Sequence, residues 1–112
     1  MIQIFGTKKC NDTKKAERFF KERGIKFQFI DMKEKGMSKG EFTSVAQAVG
    51  GIDKIINENC KDKDTLVLIQ HMSGEDRIEK ILENQQIIKT PVVRNGKTAT
   101  IGYCPDAWKD WK

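Results

Sequence analysis

Apolar positions fall along this chain in two rhythms. Met1-Ile2-Gln3-Ile4-Phe5 and Lys26-Phe27-Gln28-Phe29-Ile30-Asp31 are short apolar segments of strand length. Between them Ala16, Phe19, Phe20 and Arg23 recur at three-to-four spacing among good helix formers. This pattern predicts a strand, a loop, a helix ending at Arg23 and a second strand. Asp12 or Thr13 would cap the helix, and Gly24 would supply its left-handed stop. Two short strands joined by one crossover helix pair in parallel with a right-handed connection. Cys10 then lies just beyond the carboxyl end of the first strand, where open α/β sheets place their chemistry.

The middle of the chain reads as helices. Ser38-Lys39-Gly40-Glu41 has the form of a capping box, so a helix is expected from Lys39 with Phe42, Val45, Ala46 and Val49 on its apolar face. Gly50-Gly51 breaks it, and Ile52, Ile55 and Ile56 suggest a short second helix. Residues 57–64 form a polar loop. Leu66-Val67-Leu68-Ile69 fits a buried strand or a helix by pattern alone; Asp64 and Thr65 offer a cap and favour helix. Ser73 with Asp76 opens a further helix that turns Ile78, Ile81 and Leu82 inward.

The last third returns to strands. Pro91–Arg94 and Lys97–Ile101 flank Asn95-Gly96, a dipeptide suited to the type I′ hairpin turn, in which both central residues have positive φ. Pro91 is tolerated only at the start of a strand. Pro105 fits the first turn of a closing helix, whose Trp108 and Trp111 should dock on the sheet.

Composition narrows the class. At 112 residues the chain has room for one domain with a modest core. No apolar run approaches the roughly twenty residues that span a bilayer, and no signal-peptide pattern opens it; a cytoplasmic protein is expected. The net charge is +5, but lysines interleave with acids instead of forming one block. That argues for a solvated surface with a mild attraction for anions, and against direct nucleic-acid binding. The three cysteines are too few and too widely spaced for a disulfide framework or a zinc site.

Cys10 is the candidate for chemistry. A helix N-terminus presents unpaired N–H groups and about half a positive charge, both of which favour thiolate over thiol. Lys8, Lys9, Lys14 and Lys15 surround it in sequence, with Asp12 opposing. Cysteines so placed are activated nucleophiles. Only the first thiol of a C-x-x-C pair is present in Cys10-Asn11-Asp12-Thr13, so an intermediate formed on Cys10 would need another thiol to resolve it.

The segments Phe5-Gly6-Thr7-Lys8-Lys9-Cys10, Thr13-Lys14-Lys15-Ala16 and Phe20–Ile25, with the later Ile87–Val93 run and Gly102-Tyr103, resemble the signatures of the arsenate reductase C family. That family includes glutaredoxin-coupled arsenate reductases and the Spx transcriptional regulators. The resemblance covers nearly the whole chain. It implies a thioredoxin-like α/β fold, a four-stranded mixed sheet in the order 2-1-3-4 flanked by helices, with a helical insertion near residues 38–84. It further implies that Cys10 is the catalytic cysteine and that Thr90-Pro91 is a cis bond facing it. Lys9, Asn11, Thr13, Thr90 and Pro91 become candidate contacts to substrate or thiol. Cys104 and Cys60 become candidate resolving thiols, beside glutathione or a glutaredoxin as outside donor.

One departure bears on activity. Arsenate reductases of this family carry three arginines around the cysteine, whose planar forks suit a tetrahedral oxyanion. Here those positions fall on Thr90, among Asn57–Asn59, and on or beside Cys104. Lys89 and Arg94 are nearby cations, but alternation along a strand argues that neither points into the site. The expectation is a thiol-dependent oxidoreductase of disulfides or small oxyanions, with arsenate a poor substrate and no bound cofactor or metal. The alternative is a Spx-like regulator that contacts the RNA polymerase α subunit.

Overall fold

The computed structural model describes residues 1–111. Strand β1 (Ile2–Gly6) leads through a tight loop into helix α1 (Asn11–Glu22) and strand β2 (Phe27–Asp31). Helices α2 (Lys39–Val49), α3 (Lys63–Gln70) and α4 (Gly74–Glu83) form the insertion, with 3-10 turns at Ile52–Lys54 and Gln85–Ile87. Strands β3 (Val92–Asn95) and β4 (Thr98–Ile101) and a one-turn helix α5 (Pro105–Trp108) close the chain. The sheet order is β2-β1-β3-β4, with β1 parallel to β2 and antiparallel to β3. This is the four-stranded mixed sheet, in the order 2-1-3-4, that the resemblance implied.

Alternation along the strands divides the core in two. Ile2 and Ile4 on β1 and Val93 on β3 face Ala16, Phe20 and Trp108 on one side of the sheet. Phe5 and Val92 face the other side, where the insertion covers them with Phe42, Val45, Leu66, Ile69 and Ile81. The insertion side holds thirteen buried apolar residues against six on the α1/α5 side. Each large apolar side chain contributes about 1.5–3 kcal/mol by burial, so the insertion is a full layer of the fold.

Local signals hold in most places. Ser38 and Glu41 form a complete capping box, and Gly50 ends α2 in the left-handed conformation. Leu66 and Ile69 are buried while Val67 and Leu68 are exposed, a three-residue spacing that only a helix produces. The cap of α3 is Asp62, which accepts from Thr65 N at 3.2 Å, and not Asp64 or Thr65 as expected. The hairpin is also displaced by one residue. Asn95 pairs with Thr98, so Gly96-Lys97 is the two-residue loop. Gly96 (φ +63°) alone has positive φ there, and Gly at the first loop position belongs to a type II′ turn instead of the expected I′. Trp108 is buried against the sheet as expected, and its Nε1 donates to Thr100 Oγ1 at 2.7 Å. Trp111 packs beside the same cluster, but beyond the end of the short helix.

Candidate active site

The loop after β1 ends in Cys10, and Cys10 itself is the N-cap of α1, two or three positions ahead of the residues expected there. Its backbone is extended (φ −79°, ψ 119°), and its carbonyl already accepts from Lys14 N. As a thiol, Cys10 donates from Sγ to the Thr90 carbonyl at 3.6 Å. As a thiolate it becomes an acceptor in the place where a capping oxygen would sit. Burial pushes its pKa up. Hydrogen bonds from the Thr13 and Thr90 side chains and from the backbone N–H groups of Thr13 and Asp12 outweigh that, so the net shift is below the ordinary thiol value. Two of these causes are amide groups of the helix N-terminus, and Lys8, Lys9, Lys14 and Lys15 around it are exposed.

Thr13 carries much of this arrangement. Its side chain is fully buried, and Oγ1 has no hydrogen-bond partner of ordinary geometry. A hydrogen bond from this side chain to the sulfur anion is among the causes that lower the Cys10 pKa. Gly6, the last residue of β1, makes the close approach possible, since a Cβ there would collide with Thr13 Oγ1. Thr13→Val keeps the shape and removes the donor. It is expected to shift the pH profile of Cys10 alkylation upward while leaving stability unchanged or slightly raised, because a buried unpaired hydroxyl stabilises nothing in the thiol state. An unchanged profile would remove Thr13 from the site.

The bond between Thr90 and Pro91 is cis, as the resemblance implied, and Pro91 is buried behind Thr90. Of the residues expected around the sulfur, Thr13 and Thr90 meet it. Lys9 and Asn11 are exposed and do not line the cleft beside Cys10. Lys54, which the sequence reading passed over, lines it, with Lys89 and with Asn57 of the Asn57–Asn59 segment that the resemblance set near the cysteine. The cleft holds about 390 Å³, with Asp12 and the Ile101-Gly102 end of β4 completing its walls. Lys89 lies ahead of β3, where strand alternation does not operate, and it lines the cleft. Arg94, within β3, points away and donates to Gln3 Oε1 at 2.8 Å.

A family model described as the ArsC family matches residues 5–111. The chain belongs to the ArsC family. Among the relatives of this ArsC-family chain, the uncharacterized protein YusI of Bacillus subtilis is 25% identical over 91% of this chain and 90% of its own length. The global transcriptional regulator Spx 2 of Oceanobacillus iheyensis is 25% identical over 94% of this chain and 78% of its own length. The structure of an arsenate reductase from Vibrio cholerae superposes with a TM-score of 0.80 at 20% identity, covering 95% of this chain and 92% of that one.

All three cysteines of this ArsC-family chain are free. Cys104 donates to the Ile101 carbonyl at 3.3 Å and packs beside the Trp108 cluster. Burial pushes its pKa up, and the Thr100 side chain offsets that only in part. Cys60 donates to the Gln86 carbonyl at 3.6 Å and packs against the insertion core. Neither lines the Cys10 cleft. At limiting iodoacetamide, Cys10 is expected to be alkylated first, with a rate that rises at lower pH than that of Cys104. Peptide mapping that found equal rates, or Cys104 ahead, would contradict this. No helix among the described residues is long and apolar enough to cross a membrane.

Proposed function

We propose that this ArsC-family chain is a monothiol oxidoreductase of the glutaredoxin/arsenate reductase type, with Cys10 as nucleophile. The observation that carries the reading is the place of Cys10 as N-cap of α1, with its Sγ against the carbonyl of Thr90, the residue that precedes the cis Pro91. In the step this placement favours, the Cys10 thiolate attacks one sulfur of a mixed disulfide. A new S–S bond forms, the old one breaks, and the second sulfur leaves as a thiolate that takes a proton from solvent. A donor thiol, glutathione or a glutaredoxin, then attacks the sulfur bound to Cys10. It forms a disulfide with that sulfur and releases Cys10 as thiolate, so the donor is oxidised and the substrate reduced.

The test is reduction of the mixed disulfide of glutathione and 2-mercaptoethanol by excess glutathione. Wild-type protein should accelerate it, and Cys10→Ser should fall to the uncatalysed rate. Turnover that survives Cys10→Ser would end the reading. The Spx 2 similarity across 94% of the chain supports a second reading, a regulator that binds the RNA polymerase α subunit. A pull-down with purified α subunit tests it; retention of the chain, with no disulfide turnover, would put that reading first.

A further inference from the structure

We propose that the cleft between α1 and the start of β2 is a docking surface for an acidic segment of a partner protein, one that carries apolar side chains among its carboxylates. The inference stands apart from the reading of Cys10, because this cleft shares no lining residue with the one beside the sulfur. The first observation is where the charge lies. Residues 8–26 hold eight lysines and arginines against three carboxylates, and the remainder of the chain balances at thirteen of each. The whole surplus of +5 therefore sits on α1 and its flanks. None of these eight cations is ion-paired among the described residues. Lys15 lies over the Tyr103 ring and Arg23 over the Phe19 ring, and neither lines the cleft.

The cleft holds about 860 Å³, and the exposed Lys14, Arg18 and Lys21 line it from α1. Their spacing of four and three sets them in one row along the helix. At 1.5 Å per residue that row is about 10 Å long. Gly24 (φ +68°) and the bond from Ile25 N to the Phe20 carbonyl at 2.9 Å turn the chain at the end of α1. The turn brings Lys26, also exposed, to the same cleft just ahead of β2. Ile25 and Phe27 line it too, each only partly buried against the α1 side of the core. β2 is an edge strand, so no further strand of the chain covers its outer side. Glu17 is the carboxylate among the lining residues, so four cations face one acid. That balance calls for several negative charges, and the apolar pair calls for side chains that leave water on docking. A nucleic acid would use the cations but not the apolar pair. Phe27 is packed against Phe20 with ring centroids 6.4 Å apart, which makes it a poor platform for a stacked base.

The test is fluorescence anisotropy with a short fluorescein-labelled peptide of glutamates carrying leucines at three-to-four spacing. Wild-type protein should bind it, and Cys10→Ser should bind it equally. The triple variant Lys14→Gln, Arg18→Gln, Lys21→Gln should lose about tenfold in affinity at low ionic strength, and less at high salt. The triple variant Lys35→Gln, Lys61→Gln, Lys97→Gln removes the same charge elsewhere and should keep the wild-type affinity. All six side chains are exposed, so neither set disturbs the core. Replacing the leucines of the peptide by serines should weaken binding about tenfold or more. In a nitrogen–proton correlation spectrum the leucine peptide should shift amides of Lys14–Phe27 and leave those of Lys54, Asn57 and Lys89 in place. Absence of binding overturns the proposal, as does an equal loss in the two triple variants, which would reduce the effect to net charge. Equal affinity for the serine peptide overturns it as well, since the apolar pair would then play no part. Tighter binding of a single-stranded oligodeoxynucleotide of matched charge, or of vesicles containing phosphatidylserine, would assign the patch to nucleic acid or membrane and overturn it too.

Discussion

Trp108→Ala is expected to cost about 3–5 kcal/mol of folding stability, the range for emptying a buried aromatic site. Trp108 is fully buried. Its ring meets Phe19, Phe20 and Tyr103 at centroid distances of 5.4, 5.2 and 5.7 Å. It is the residue through which the four-residue α5 grips the smaller core, so little else on that helix could close the gap. Against a total stability of about 5–15 kcal/mol for an ordinary domain, such a loss leaves the chain marginal. Urea unfolding followed by far-ultraviolet circular dichroism measures it. Trp108→Phe should lose well under half as much, since it keeps most of the ring contact and gives up the bond to Thr100 Oγ1. A loss below about 1 kcal/mol for the alanine variant would mean that the cluster collapses around the space.

Arsenate turnover is expected to lie at least a hundredfold below that of a relative with three arginines at its cysteine. A hydrogen bond to a charged group contributes about 1.5–3 kcal/mol, so the loss of two or more guanidinium contacts lowers the rate by roughly two to four orders of magnitude. By the resemblance those positions fall on Thr90, among Asn57–Asn59, and on or beside Cys104. Thr90 and Asn57 line the cleft, while Cys104 is turned into the Trp108 cluster. Lys54 and Lys89 line the cleft, but an ammonium does not replace the guanidinium fork. A coupled assay with glutathione, glutaredoxin and a reductase, run on both proteins in parallel, measures the ratio. Turnover within a factor of ten of the relative would show that the two lysines substitute for the arginines.

The elements could be read from the sequence wherever a side chain's job is local. The Ser38–Glu41 box, the spacing of Leu66 and Ile69, and Pro105 at a helix start each depend on neighbours within a few residues, and each stands where expected. Boundaries slipped where two adjacent residues could fill one role. Asp62 capped α3 in place of Asp64, and the Gly96 turn moved one residue along its hairpin. At the site, Cys10 was legible because its environment comes from its own loop and helix. Lys54 was not, because it lies more than forty residues away and joins the cleft only through the Ile56–Ile88 bridge; Asn57, equally distant, was reached through the resemblance alone. Lys89 was misjudged by applying a strand rule three residues before β3 begins. A basic residue beside the Thr90-Pro91 step was the available signal.

That bridge also divides the labour of change during divergence. The reactivity of the sulfur is set by α1 and the residue before the cis bond, through Thr13, Thr90 and two amide groups. The far wall of the cleft is built separately, by Lys54 of the Ile52–Lys54 turn, Asn57 and Lys89, the residue after Ile88. Substitutions at Lys54, Asn57 or Lys89 leave both apolar clusters and the thiol's donors untouched. Descendants of one ancestral chain can therefore exchange substrates by drift on that wall while inheriting the same nucleophile.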